Sequence, residues 1–194
     1  MTNLLSAVLG VSFAAGLNTY ATILALGMMH RLGIVHLPSG LDVVGTLPVI
    51  VAAAVLYAVE FVADKIPIVD TVWDGIHTVI RPVAGALLAY GVVGSVDPQW
   101  QLVAALVGGG VALTSHTAKA STRAAVNVSP EPFSNWFLSL LEDAVSFVVV
   151  WLTVSHPLIG VAVVLTLTAV AAFLVWKLSR FARRVFRRPV RART

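Results

Sequence analysis

Long apolar runs separated by short polar breaks set the pattern of this chain. Leu4 to Met29 and Pro157 to Trp176 each exceed the roughly 18 residues that mark a bilayer-spanning helix. The first run predicts one retained helix, because no basic segment precedes it and it is too long for a signal-peptide core. Asn18, Thr19 and Thr22 interrupt it with neutral polar groups of the kind that bond one membrane helix to another. Residues 30–45, with Pro38-Ser39-Gly40, predict a loop. Thr46 to Val62 predicts a second span, with Pro48 in its first turn, where a missing N–H costs little. Pro67 breaks the chain before a helix that starts near Asp70 and runs to Val96, with a kink or a restart at Pro82. Asp97-Pro98 predicts a tight turn, and a fourth helix follows from Gln99 through Gly108-Gly109-Gly110. Ser129-Pro130-Glu131-Pro132 ends it. Phe133 to Ser155 is the fifth helix, fully apolar only over Ala144 to Val154, and Pro157 to Trp176 is the sixth.

The polar positions have a helical period of their own. At 100° per residue, Asp70, Asp74, His77 and Arg81 fall within an arc of roughly 60°. Glu60 and Asp64 lie one turn apart. His116, Lys119, Arg123 and Asn127 share an arc of roughly 80°, and Asn135, Ser139, Glu142, Asp143 and Ser146 one of about 100°. Charged stripes between apolar spans are costly unless they line water or meet partners, so they mark the candidate site.

Composition supports the membrane class. Hydrophobic residues make up 58% of the chain and mean hydropathy is +0.92, above the roughly 45–50% apolar content of soluble domains. The net charge of +4 and pI near 10.0 do not point to nucleic acid, because eight of the 13 lysines and arginines follow Trp176. A basic tail after a span reads as a topology signal and a contact for anionic lipid, with Trp176 to Arg188 at the membrane surface. It places the C-terminus in the cytoplasm, and six spans place the N-terminus there too. Lys65, Lys119 and Arg123 then fall on the cytoplasmic side, and Arg31 outside. With no cysteine there is no thiol chemistry.

The expected fold is therefore an all-α polytopic membrane bundle of about six transmembrane helices. It forms a single domain over residues 1–176, with halves at about 1–96 and 99–176, followed by a basic cytoplasmic tail over 177–194. Three spans per half would invert the second half relative to the first, as in many small transporters. Self-association stays open.

Several segments together resemble a known family. They are Gly16-Leu17-Asn18-Thr19-Tyr20, Glu60 through Asp70 with Trp73-Asp74, Arg81-Pro82-Val83-Ala84-Gly85, His116-Thr117-Ala118-Lys119 through Arg123, and Ser129-Pro130-Glu131-Pro132 through Glu142-Asp143. The resemblance is to an uncharacterised bacterial integral-membrane family, domain of unknown function four-one-two-six. It implies a multi-pass membrane protein and brings no activity, cofactor or catalytic residue.

Three functional readings follow from the stripes. In the first, Glu60, Asp64, Asp70, Asp74, His77, Arg81, His116, Lys119, Arg123, Glu142 and Asp143 surround one cytoplasm-facing cavity. Asn18, Thr22, Asn127 and Ser139 form its secondary lining. Such a cavity suits a small transporter, channel or lipid-translocating protein that binds an ion or a small anionic group. In the second, the charges form only a structural ion-pair network that fixes helix packing. In the third, Asp70-x3-Asp74-x2-His77 holds a metal in a membrane enzyme acting on a lipid phosphate. No metal and no cofactor are otherwise indicated, since nucleotide-binding and zinc-protease patterns are absent.

Overall fold

The computed structural model describes residues 2–94, 96–127 and 132–186. Among them the regular structure is all helical. The α-helices are α1 (Thr2–Leu17), α2 (Thr19–Arg31), α3 (Leu47–Ala63), α4 (Pro67–Val92), α5 (Pro98–Val126), α6 (Pro132–Ser155) and α7 (Pro157–Phe186). A 3-10 helix, Ser39–Gly45, precedes α3.

The bundle is built around α1, which packs against α4, α5, α6 and α7. Every residue from Val8 to Leu17 is buried, as expected for a helix that is apolar on all sides. Its two inward serines do not remain unpaired. Ser6 Oγ donates to the Thr153 carbonyl at 3.0 Å and Ser12 Oγ to the Gly85 carbonyl at 3.2 Å. The α4–α5 pair is held close by small residues. A Cβ on Gly85 would collide with Ala112, and one on Gly108 with Ala89 and Ser12. Gly108→Leu is expected to destabilise the protein by about 1–3 kcal/mol through overpacking. A melting temperature in detergent equal to that of the parent protein would show that these helices do not approach so closely.

The first apolar run is not one helix. It breaks at Asn18 (φ −149°, ψ 103°), whose Oδ1 accepts from Ala21 N at 2.9 Å and so caps α2. An asparagine side chain competes with the backbone for this role, which ends the helix before it and starts the one after. The 3-10 helix also replaces part of the expected loop at 30–45. In contrast, α4 runs unbroken through Pro82, so no restart occurs at Arg81. Helix α7 likewise continues past Trp176 through Lys177, Arg180, Arg183 and Arg184. Ser129-Pro130-Glu131 and residues 187–194 lie outside the described residues.

Among the described residues, three helices are long and apolar enough to cross a membrane: Ile68–Val92, Phe133–Ser155 and Pro157–Phe181. Ser39–Gly45 with Leu47–Ala63, bent by 64°, makes a fourth if the pair is one span. The count falls short of six for a physical reason. Helix α5 carries the His116, Lys119 and Arg123 stripe, which lowers its hydropathy, and α1 is shortened by the break.

Candidate functional site

The four charged stripes meet in one place. Arg81 Nη2 donates to Glu60 Oε1 at 2.7 Å, and Arg81 Nη1 lies 3.3 Å from Asp74 Oδ1. Lys119 Nζ is 2.9 Å from Asp64 Oδ2, 3.4 Å from Glu142 Oε2 and 3.5 Å from Glu60 Oε1. Arg123 Nη2 is 2.6 Å from Glu142 Oε2 and 3.2 Å from Asp64 Oδ2, while its Nη1 is 3.6 Å from Asp70 Oδ1. Helix α3 thus supplies acids at its C-terminal end, α4 acids and an arginine, α5 cations, and α6 an acid. The side chains touch directly rather than lining a wide cavity, because opposite charges attract strongly where water is scarce.

The cluster is dry. Glu142 is the most exposed of its members, and only 12% of its side-chain surface is accessible. A pocket of about 210 Å3 between α4 and α5 reaches it, lined by Thr71, Asp74, Gly75, Thr78, Ala120, Arg123 and Ala124. Buried as they are, five carboxylate oxygens receive no hydrogen bond: Glu60 Oε2, Asp64 Oδ1, Asp70 Oδ1 and both oxygens of Asp74. Asp64 sits at the turn between α3 and α4. Burial would push its carboxyl up, but the Lys119 ammonium and Arg123 guanidinium beside it hold it below the ordinary carboxylate value.

The break in the first run is part of the same site. At the end of α1, side chains replace missing backbone donors. Thr19 Oγ1 donates to the Ala15 carbonyl at 2.7 Å, and just before the break Ser115 Oγ adds a bond to the Phe13 carbonyl at 2.9 Å. Arg81 reaches the Gly16 carbonyl at 3.5 Å, and Lys119 the Leu17 carbonyl at 3.3 Å. The cations therefore sit at the negative end of α1. Beyond the break, Asn18 Nδ2 donates to Asp143 Oδ1 at 2.9 Å, which places that carboxylate at the positive end of α2. Tyr57 donates to the other oxygen of Asp143 at 3.2 Å.

The remaining expected residues surround this centre. His116 Nδ1 lies 2.9 Å from Arg81 Nη1. A guanidinium can only donate, so this nitrogen accepts and the imidazole is neutral. Its Nε2 then donates to Thr78 Oγ1 at 3.1 Å, which in turn donates to the Asp74 carbonyl. His77 Nδ1 donates to the Trp73 carbonyl at 2.8 Å, and its Nε2 meets the Tyr20 hydroxyl at 3.1 Å. Asn127 Nδ2 donates to Asp70 Oδ2 at 2.8 Å, and its Oδ1 accepts from Asn135 at 2.6 Å. Ser139 is 3.5 Å from Lys65 Nζ. The Thr22 hydroxyl bonds only locally, to the Asn18 carbonyl. Asp143 stands apart from the ion pairs, with Asn18 and Tyr57 as its donors.

Asp70, Asp74 and His77 do not gather as metal ligands. Among the described residues, no three histidines or carboxylates form a group that could hold an ion. The helical stripe is real, but its members turn to different partners: Asp70 to Arg123 on α5, Asp74 to Arg81 on α4 itself and His77 to Tyr20 on α2. Tyr20, Tyr57 and Thr78 join the site from outside the charged stripes. The signal for two of them is helical spacing, since Tyr57 lies one turn before Glu60 and Thr78 one turn after Asp74.

A family model described as a domain of unknown function, DUF4126, matches residues 5–177. No curated protein and no solved structure matches the chain.

Proposed function

Because the chain belongs to the DUF4126 family, which carries no assigned activity, we propose from the geometry alone that it is a multi-pass membrane protein that binds and translocates a small cation at its buried carboxylate cluster. One observation carries this reading. Five carboxylates (Glu60, Asp64, Asp70, Asp74 and Glu142) face three cations (Arg81, Lys119 and Arg123) in a space nearly closed to water. Lys65 and Asp143 beside them add one charge of each sign, so among the described residues an excess of two negative charges remains. Isolated buried charge is too costly to persist, and something positive must neutralise it. An anion is the less suitable guest. Each of the three cations already lies within 3.6 Å of two or three carboxylates, which an anion would have to displace.

The broken first run supports the same reading. Half-helix ends pointed at a buried site are a recurring means of holding ions in carriers. The direct test is the melting temperature of the full chain in detergent, at fixed ionic strength, against pH and against Li+, Na+, K+, Mg2+ and Ca2+ in turn. Stabilisation by one of them, followed by its movement into vesicles down an imposed gradient, is expected. Indifference to all of them and to pH would leave a purely structural network, the reading favoured by the multiple pairing of every cation.

The arrangement in the membrane follows from charge and length. We place six crossings, formed by α1 with α2, then α3, α4, α5, α6 and α7, with both termini cytoplasmic. At about 1.5 Å per residue the 29 residues of α5 extend roughly 43 Å, ample for a bilayer. The second half would then be inverted relative to the first, although α5 is unbroken where the first run divides. Beyond the bilayer, α7 presents Lys177, Arg180 and Arg184 beside Trp176 and Phe181, a surface suited to anionic lipid headgroups. Arg180 lies over the Trp176 ring at 4.8 Å. A reporter fused after Thr194 should be active only in the cytoplasm. Activity on the far side would overturn the topology.

A further inference from the structure

We propose that the ion neutralising this cluster is the proton, carried by the α4 pair Asp70 and Asp74 and exchanged with solvent at Asp74 through the opening between α4 and α5. The inference rests on the ion-binding reading above and names its ligand.

The two excess charges can be assigned by comparing how each acid is held. Glu60, Asp64 and Glu142 each have a cation within 2.9 Å. Among the described residues, the one cation within 4 Å of Asp74 is Arg81, at 3.3 Å, and that arginine is shared with the closer Glu60. The one cation within 4 Å of Asp70 is Arg123, at 3.6 Å, together with the neutral Asn127. The least neutralised acids are therefore two in number, matching the excess. They sit one turn apart on one face of α4.

The kind of ion follows from the donors present. A dehydrated metal cation needs several oxygens converging on one point, and the described carboxylates and imidazoles supply no such group. A proton needs one lone pair. Both Asp74 oxygens lack a hydrogen-bond donor, although the residue is only 5% exposed. Asp74 is also the one member of the pair that lines the pocket between α4 and α5, and since both of its oxygens are covered, exchange requires the pocket wall to part. In the exchange, a hydronium ion transfers its proton to an Asp74 oxygen, an O–H bond forms, and water leaves. Release is the reverse.

The groups around Asp74 shape this equilibrium from every side. Helix α3 presents Glu60 and Asp64, α4 itself Asp70, His77 and Arg81, α5 His116, Lys119 and Arg123, and α6 Glu142. The acids favour the protonated form of Asp74 and the cations oppose it. His116 takes no part as a carrier, since the Arg81 donor holds its Nδ1 unprotonated. His77 bridges Trp73 and Tyr20 and can satisfy both while neutral.

Infrared difference spectroscopy of the full chain in lipid nanodiscs, stepped between mildly acidic and alkaline buffer without metal salts, tests the assignment. A protonated-carboxyl band should rise in acid and shift in heavy water. Asp74→Asn should remove about half of it, and Asp70→Asn with Asp74→Asn nearly all. Asparagine matches the shape of the neutral acid, and both variants should fold. Should either fail to fold, the band of the parent protein still decides whether a carboxyl takes up protons. A band that survives the double substitution overturns the assignment to these two residues. If no band appears but Na+ or K+ stabilises the protein, and Asp74→Asn abolishes that effect, the proton is wrong and the ion-binding reading stands. If neither is seen, both fall.

Discussion

Replacing Lys119 with methionine is expected to destabilise the folded protein by roughly 3–5 kcal/mol, the range for removing one partner of a buried ion pair. The ammonium is enclosed by Asp64 at 2.9 Å, Glu142 at 3.4 Å and Glu60 at 3.5 Å, and it also satisfies the Leu17 carbonyl at the end of α1. Without it, five carboxylates face two cations in a space that water scarcely enters. The loss should be greatest in alkaline buffer, where the acids cannot take up protons in its place. Adding Asp64→Asn should recover a large part of the stability, because it removes the closest of the stranded acids. The two readings of the cluster then separate. A structural network regains both its fold and any ion response in the double variant, whereas an ion site regains its fold alone. A melting temperature for Lys119→Met equal to that of the parent protein would show that this lysine is not held in a dry network.

Arg123→Met is expected to have a comparable effect, for a different reason. Arg123 ties the ends of four helices together. It donates to the Asp64 carbonyl at 2.8 Å after α3, pairs with Asp70 at the start of α4, and binds Glu142 on α6, all from α5. Its removal leaves Asp70 without a cation, leaves Asp64 and Glu142 with Lys119 alone, and frees the Asp64 and Asn135 carbonyls, again a cost of roughly 3–5 kcal/mol. The pH dependence has a definite sign. Burial would raise the Asp64 carboxyl, but Lys119 and Arg123 hold it below its ordinary value of 3.8. An acid lowered in the folded state stabilises the fold above that ordinary value and ceases to do so as the pH falls through the folded one. The variant has already lost part of this contribution. The gap in melting temperature between parent and variant should therefore narrow in acid. A gap that stays constant down to that range would show that Asp64 gains nothing from Arg123.

What the sequence by itself determined is the class of structure and the faces that carry charge. Apolar runs of this length dictate helices in a membrane setting, and a 100° step per residue puts Asp70, Asp74, His77 and Arg81 on one stripe whatever surrounds them. The same arithmetic placed Lys119 with Arg123 and found Glu142 beside Asp143. These are local properties, fixed by backbone geometry within a single helix.

Pairing is not local. Whether Arg81 meets Glu60 or Glu142 depends on the rotation and offset of helices that are distant in sequence, and no period within one helix encodes those. The adjacent acids of α6 show this plainly, since Glu142 joins the ion pairs while Asp143 turns to Asn18 and Tyr57. The break at Asn18 has the same origin. A break of one residue in an apolar helix is tolerable only because Thr19 turns back and Arg81 and Lys119 arrive from other helices to satisfy the carbonyls it releases. Helix α5 carries Lys119 and Arg123 on one face, and their burial is tolerable only because α3, α4 and α6 supply acids. The excess of two negative charges likewise emerges only once the stripes are brought together and water is excluded, because in water each charge would be solvated on its own and no sum over neighbours would matter.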